Sequence, residues 1–332
     1  MKKETVLVTG GAGFIGAHVA EELIRQGKKV VVFDDLSGGY KENIPEKAIF
    51  IKGSIEDYKL INAVFKKYKF KYVYHLAAYA AEGLSHFIRR FNYQNNLVGS
   101  INLINASTNY GVECFVFTSS IAVYGKNQLP MREDLVPAPE DPYGVSKYAV
   151  ELDLKAAHEM FGLNYIIFRP HNVYGEKQNI WDKYRNVIGI FIRKALKGEP
   201  LTIFGDGKQT RAFTYIKDVA PLIARSPETK KAYNQIFNIG AHQPYTVKEL
   251  AEQIKKIIES PSKVQYLPPR NEVMHAHSDH KKLKKFFDYD PQYDLVHGLK
   301  NMIEWVKKEK KRTTKIFKNL ETTKNIPAIW MK

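Results

Sequence analysis

Two short stretches of this sequence carry residue types that could do chemistry together. The first is Asp141-Pro142-Tyr143-Gly144-Val145-Ser146-Lys147. It reads as the opening of a helix, with Asp141 as the N-cap and Pro142 in the first turn, so Tyr143 and Lys147 share a face one turn apart. An ammonium in that position, added to the positive end of the helix dipole, favours phenolate and draws a tyrosine pKa down from its usual ~10 toward working pH. Such a phenol is a general acid and base for an alcohol. Alone, the pair carries little weight, because 20 tyrosines in a lysine-rich chain produce this spacing by accident as an exposed helix pair.

The second stretch is Thr9-Gly10-Gly11-Ala12-Gly13-Phe14-Ile15-Gly16, directly after a β-like run and before a helical pattern with Ile15, Val19, Leu23 and Ile24 on one face. Glycines at 10, 13 and 16 permit a tight turn and a close backbone approach to a pyrophosphate, whose charge meets the free N–H groups of the helix N-terminus. Gly27 closes the helix. Asp34 stands about 20 residues further on, at the end of the second β-like run, where a carboxylate accepts from an adenosine ribose and repels a 2′-phosphate. Glycines alone often mark nothing more than turn geometry. With strand, helix and Asp34 in register, they specify a dinucleotide site that favours NAD over NADP.

These residues need a scaffold, and the chain supplies alternating β-like and helical segments. Thr5–Thr9, 29–33, Ile49–Lys52, Tyr72–His75 and 115–119 are short and rich in Val, Ile, Phe and Tyr, with helical spacing between them. A further strand is expected at 165–169 and a late one, returning to the sheet, at 236–239. The fold class that follows is α/β, a Rossmann-type doubly wound parallel sheet with a smaller mixed α/β lobe. Residues 1–170 and about 213–240 are assigned to the dinucleotide-binding domain, and about 171–212 and 241–332 to a substrate-binding lobe with a C-terminal tail. The apolar residues of 326–330 are expected to dock on the body.

Composition narrows the function classes. The net charge of +16 invites a nucleic-acid reading, but the lysines are scattered. The one dense run, 307–312, falls in an amphipathic stretch that reads as a solvated helix face, so no nucleic-acid partner is expected. No apolar run of about 18 residues is present to span a bilayer, and the first residues run straight into a strand and glycines, leaving no room for a signal-peptide core. A single cysteine, Cys114, excludes an internal disulfide and reads as a buried thiol. A soluble, cytoplasmic protein with no membrane partner is the expectation. His75 and His171 lack the companion spacing of metal ligands, so no metal is expected.

Beyond these two stretches, several ordered motifs resemble the extended short-chain dehydrogenase/reductase family of NAD-dependent epimerases and dehydratases, and within it the UDP-glucose 4-epimerase branch. They are 9–16, His75-Leu76-Ala77-Ala78, Asn95, Thr118-Ser119-Ser120 with Val123-Tyr124-Gly125, Tyr143 with Lys147, Arg169-Pro170 leading to Asn172, and Gly205-Asp206-Gly207 leading to Arg211. The resemblance covers nearly the whole chain. It implies that Tyr143 is the acid/base, that Lys147 tunes it and holds the nicotinamide ribose, and that Ser120 relays the sugar hydroxyl proton. It further implies NAD contacts from Gly10, Gly13, Phe14, Ile15, Gly16, Asp34, Asp35, Ser37, Gly38, Ser54, Ile55, Leu76, Ala77, Ala78, Asn95, Ser119, Tyr143, Lys147 and Pro170. For a UDP-sugar it implies Ser120, Tyr143, Asn172, Asn186, Val187, Phe204, Arg211, Arg270 and Glu272, where guanidinium groups offer phosphate a fork that lysine lacks.

Related 4,6-dehydratases place an Asp and a Glu directly after the relay residue, whereas this chain has Ile121 and Ala122. Elimination then has no acid or base, and C4 epimerisation through a transient 4-keto sugar is the implied reaction. The sequence departs from the family at Ser54, where an Asp is usual, at Ala80, where some 4-epimerases carry Lys, and at His171, a place often aromatic beside the sugar. Small Ala276, matched to the residue that limits bulk at the sugar C2, suggests tolerance of N-acetylated sugars. Two alternatives remain open at this point: a nucleotide-sugar 4-dehydrogenase or 4-reductase that releases its product, and a non-catalytic Rossmann-fold RNA-binding or scaffold protein. The family's pairing through two long helices, here about 92–110 and 143–161, implies a homodimer; both carry apolar residues on more than one face.

Overall fold

The computed structural model describes residues 3–126, 128–182, 184, 187–269, 273–310, 312 and 320–327. Its centre is a seven-stranded sheet in which every pairing is parallel. The strands in chain order are β1 (Thr5–Thr9), β2 (Lys29–Asp34), β3 (Ile49–Lys52), β4 (Tyr72–His75), β5 (Cys114–Thr118), β6 (Tyr165–Pro170) and β7 (Gln235–Ile239). Their spatial order is β7-β6-β5-β4-β1-β2-β3, so the direction of winding reverses beside β1. Clefts open at such reversals, at the carboxyl ends of the strands.

Near-continuous apolar runs make the central strands, because helices cover both faces. Alternation along each strand then feeds two cores. Val6, Val8, Val30 and Val32 join one cluster, while Leu7, Val31, Phe33, Val73, Phe115 and Phe117 join the other. The first cluster continues without a break into the later chain through Phe191, Ile192, Leu250 and Leu299. Cys114 begins β5, one residue earlier than expected, and lies wholly buried, where loss of water pushes its thiol pKa far up.

Helix α1 (Phe14–Arg25) packs on the sheet through Ala17, Val19, Ala20 and Leu23. Helix α2 (Gly99–Asn109) ends a longer helical run than the sequence suggests. That run starts at Arg89–Tyr93 and passes through a π-helical stretch at Gln94–Val98 before reaching Gly99. A Cβ on Gly99 would come within 2.6 Å of the Ile55 side chain, so glycine is what lets the run pass close to the loop after β3. Helix α3 (Pro142–Phe161) starts where Asp141 caps it and ends at Gly162 in the left-handed region, φ 75°.

Among the described residues, the later chain adds three small sheets. Val173–Tyr174 pairs with Thr214–Tyr215, and Leu201–Phe204 with Val264–Leu267, both in parallel. Thr210–Ala212 lies between Pro244–Thr246 and His275–Ala276. The helices Val187–Leu196 and Val247–Ile258 pack over these strands. Among the described residues no helix is long and apolar enough to cross a membrane.

Candidate active site

A cavity of about 810 Å³ opens at the carboxyl ends of β1, β2, β4, β5 and β6 and runs on to the small sheets. At its floor, Gly10 has φ 71°, and a Cβ there would lie 2.7 Å from the Ala77 main chain. A Cβ on Gly16 would stand 2.2 Å from the Gly10 carbonyl oxygen. The turn is therefore fixed at a separation that only glycine permits. Gly13 caps α1 with no side-chain partner, so the first N–H groups of that helix face the cavity uncapped. A bare helix N-terminus behind a glycine cradle suits a pyrophosphate.

Asp34, nearly buried at the end of β2, accepts from the N–H groups of Ala12 at 3.0 Å and Leu36 at 2.8 Å. Burial raises its carboxyl pKa, and those two N–H groups oppose the rise. Each carboxylate oxygen has further lone pairs for a ribose hydroxyl. Asp35, Ser37 and Gly38 line the same edge, with Asp35 accepting from the Ser37 N–H at 2.7 Å. Ile55 and Gly53 line it as well, but Ser54 between them does not: its hydroxyl accepts from the Glu56 N–H in the local turn.

Leu76, Ala77 and Ala78 follow β4 along the cavity wall. Beneath them the buried His75 joins Thr9 Oγ1 and Ser100 Oγ, both at 2.8 Å. Ser100 Oγ donates to the Asn96 carbonyl, so it accepts from Nε2–H, and Nδ1 accepts from Thr9. His75 thus pins the strand ends to the helical run. Asn95 lines the cavity from the π-helical stretch, its amide donating to Asn96 Oδ1 at 2.8 Å. Asn96 holds the Tyr79 main chain through both N–H and C=O and donates to Asn92, which donates to the Pro142 carbonyl at 2.8 Å.

That last contact reaches the reactive helix. Asp141 caps α3 by accepting from the Gly144 N–H at 2.9 Å, and Ser85 Oγ accepts from the Tyr143 N–H at 3.2 Å. A Cβ on Gly144 would lie 2.7 Å from the Ala122 carbonyl oxygen, so this glycine lets α3 close onto the turn that begins with Ser120. Tyr143, Lys147, Ser119 and Ser120 all line the cavity, each largely buried. Lys147 Nζ donates to the Thr118 carbonyl at 2.9 Å and lies 5.8 Å from the centre of the Tyr143 ring. Burial lowers its pKa to about 7, against the pull of Glu151. Ser120 Oγ accepts from the Ala122 N–H at 3.1 Å, which leaves its hydroxyl proton to give away. Gathered on one wall of the cavity, the set can hold and pass a proton.

Under it lies a buried ion pair. Arg169 donates from Nε to Glu151 at 2.9 Å and from a second nitrogen to its other oxygen, while Ser119 Oγ donates to Glu151. Both charged side chains are 2% exposed. Arg169 also covers the face of Tyr124, whose hydroxyl donates to Asn238 on β7. Removing one partner of such a pair is costly, since the other charge stays buried.

On the far side Pro170, Asn172, Val187, Phe204 and Arg211 line the cavity. The Arg211 guanidinium donates to the carbonyls of Thr210, Val273 and Met274. Asn186, Arg270 and Glu272 lie outside the described residues. Two sequence expectations fail here. His171 is wholly buried, bonded through Nε2 to Ser278 Oγ, and does not line the cavity, because the Pro170–His171 main chain turns it behind the wall against Gly240. Ala276 packs with Ile121, Val123, Tyr124 and Met131 in a closed cluster instead of facing the cavity.

The sequence reading missed an aromatic wall of Tyr79, Phe91 and Tyr184, and Tyr40, whose hydroxyl donates to Asn179 across the cavity edge. Lys177, Arg193 and Lys194 add positive charge along the lining. Nothing in their spacing marks them; only the fold brings them together. No group of three or more His, Cys, Asp or Glu that could hold a metal ion occurs among the described residues.

Comparison with known proteins agrees with this geometry. A putative UDP-glucose 4-epimerase from Methanocaldococcus jannaschii is 38% identical over 305 residues, covering 91% of this chain and 98% of its own. The solved UDP-glucose 4-epimerase from Thermotoga maritima, crystallised with UDP-glucose, superposes with a TM-score of 0.89 at 37% identity, over 92% of this chain and 99% of that one. A UDP-N-acetylglucosamine 4-epimerase from Methanobrevibacter ruminantium, in complex with UDP-N-acetylmuramic acid, gives 0.86 at 35% identity over 92% and 99%. The family model for the NAD dependent epimerase/dehydratase family matches residues 6–240. With the glycine cradle, Asp34 and the buried Tyr143–Lys147 face at one cavity, the chain belongs to the NAD dependent epimerase/dehydratase family.

Proposed function

We propose that the protein is an NAD-dependent nucleotide-sugar 4-epimerase acting on UDP-glucose/UDP-galactose or their N-acetylated relatives. The observation that carries this is the convergence of Tyr143, Lys147 and Ser120 on one cavity with the glycine cradle of α1. In this reading Gly10, Gly13, Phe14, Ile15 and Gly16 hold the NAD pyrophosphate, Asp34 the adenosine ribose, and Lys147 the nicotinamide ribose. Bound NAD supplies reversible hydride exchange at the sugar C4. The chain's own residues do the rest: Tyr143 takes and returns the 4-hydroxyl proton, Ser120 relays it, and Lys147 stabilises the phenolate. Ile121 and Ala122 provide no acid or base for eliminating water, which disfavours dehydration. Pro170 is assigned to NAD, and Asn172, Val187, Phe204 and Arg211 to the UDP-sugar, with Lys177 and Arg193 adding field for its phosphates.

The N-acetylated substrates rest on the Methanobrevibacter relative, since Ala276 offers no support. We assign residues 1–170 and about 213–240 to the NAD-binding domain and the remainder to the substrate lobe. Val98, Val145, Leu152, Met160 and Phe161 leave an exposed apolar surface on the helical run ending in α2 and on α3. That surface supports a homodimer built on these helices. A cytoplasmic location fits one buried, free cysteine. The test is an NMR assay at C4 with UDP-glucose and UDP-N-acetylglucosamine. Epimerisation without net NADH is expected; stoichiometric NADH release identifies a dehydrogenase instead, and no turnover of any UDP-sugar overturns the assignment.

A further inference from the structure

The wall beside Tyr143 is built from residues 81–91, of which Ala81, Glu82, Gly83, His86 and Phe91 face the cavity. It also supports the reactive helix, through Ser85 on the Tyr143 N–H and Asn92 on the Pro142 carbonyl. Yet its own structure is slight: Glu82–Ser85 is a single turn, Arg89–Tyr93 is the first turn of the run that ends in α2, and its buried core is Ala81, Leu84, Phe87 and Ile88. What backs it comes from the far end of the chain. Leu320 and Ile326 pack on the same cluster that carries Tyr79, Phe91 and Tyr184 of the cavity. The Glu321 N–H donates to the Phe87 carbonyl at 2.8 Å. Its carboxylate then accepts from the main-chain N–H groups of Arg90 at 2.7 Å and Phe91 at 2.9 Å.

We propose that Glu321 is a positioning residue for the sugar end of the active site, holding the 87–91 main chain so that Phe91 and Tyr79 present a fixed wall to the hexose. The role rests on reading the cavity as a UDP-sugar site. Charge-assisted bonds to two adjacent N–H groups fix both the height and the tilt of that turn, which a single bond would not. The same contact couples the C-terminal segment to Tyr143, because Phe91 and Asn92 are adjacent and Asn92 holds Pro142. Arg312 makes a second attachment at the cofactor edge, donating to Asn43 at 3.2 Å and covering the Tyr40 ring.

Glu321→Ala in the full-length, NAD-loaded protein is expected to raise KM for UDP-glucose roughly tenfold, as the loss of two such bonds implies, with a smaller effect on kcat. NAD content, Tm and affinity for UDP alone should stay at the wild-type level. Glu321→Gln, which keeps one good acceptor, should recover most of the loss, and Leu320→Ala should move KM in the same direction by a smaller factor. Amide exchange at Arg90 and Phe91 should quicken in Glu321→Ala. Unchanged exchange there overturns the positioning role by itself, and so does quickened exchange with wild-type KM. A wild-type protein that epimerises no UDP-sugar overturns the functional assignment instead, which the exchange experiment does not depend on.

Discussion

Lys147 donates to the main-chain carbonyl of Thr118 at 2.9 Å, tying the second turn of the reactive helix to the end of β5. The contact holds the ammonium between the Phe117 and Tyr143 rings, with 2% of the residue exposed. A charge so placed has lost its water, and that is why its pKa drops from 10.5 to about 7.

The pH dependence of stability follows. Below about pH 7 Lys147 is protonated in both folded and unfolded chains, and the cost of burying its charge is present in full. Between about 7 and 10.5 the unfolded chain holds the proton and the NAD-free folded chain does not, so this group makes stability rise with pH, by at most about 1.4 kcal/mol per unit. Urea denaturation of NAD-free protein should show that rise, and Lys147→Met should flatten it. Equal slopes in the two proteins would show that the ammonium is not desolvated.

Tyr143→Phe removes one oxygen from a largely buried ring and leaves the ring in place. Turnover should fall by about 10²- to 10⁴-fold, the usual worth of a positioned acid/base. NAD content, read from the absorbance of denatured protein, should be nearly intact. An unchanged kcat removes Tyr143 from the proton path.

At Gly16 an added methyl would meet the Gly10 carbonyl oxygen at 2.2 Å, and that oxygen is main chain, with nowhere to move. Gly16→Ala should cost about 1–3 kcal/mol in stability and most of the bound NAD. Gly27→Ala is the control for a positive-φ glycine with open space around it, φ 80°; it should lose stability but keep NAD. Equal NAD content in the two variants would falsify the cradle.

Behind the cavity wall, Ser278 joins His171 to His280, and His280 approaches His242 at 3.3 Å. Burial, with the neighbouring histidines, holds the His171 pKa well below 6.5 and that of His280 near 4. Both are neutral when folded, whereas unfolded histidine takes up a proton below about 6.5. Stability from these groups is therefore present above pH 6.5 and is lost as pH falls toward 4. A Tm series over that range should fall less steeply for His280→Gln than for wild type.

How much was visible in the sequence depended on what sets each residue's place. The seven strands were legible because a parallel sheet buried on both faces demands uninterrupted apolar runs, and the glycine turn because it has no tolerance for side chains. Asp141 announced α3 by its own capping chemistry. His171 misled because a motif position gives the main-chain location but not the side on which the side chain falls, and here Gly240 leaves room for the imidazole behind the wall. Ala276 is turned into its closed cluster for the same reason. Tyr79, Phe91 and Tyr184 carried no local signal; their role exists only once the 81–91 segment and the C-terminal residues meet.

Strand β7 joins the sheet beside β6, although more than sixty residues separate the two in the chain. During synthesis, the main chain of Tyr165–Pro170 must wait with an unpaired edge while the small-sheet region is still leaving the ribosome. A polypeptide halted anywhere before Gln235 would expose that edge to a neighbouring copy. The dinucleotide cradle at β1 lies three strands away from that edge, so cofactor held there would leave it uncovered.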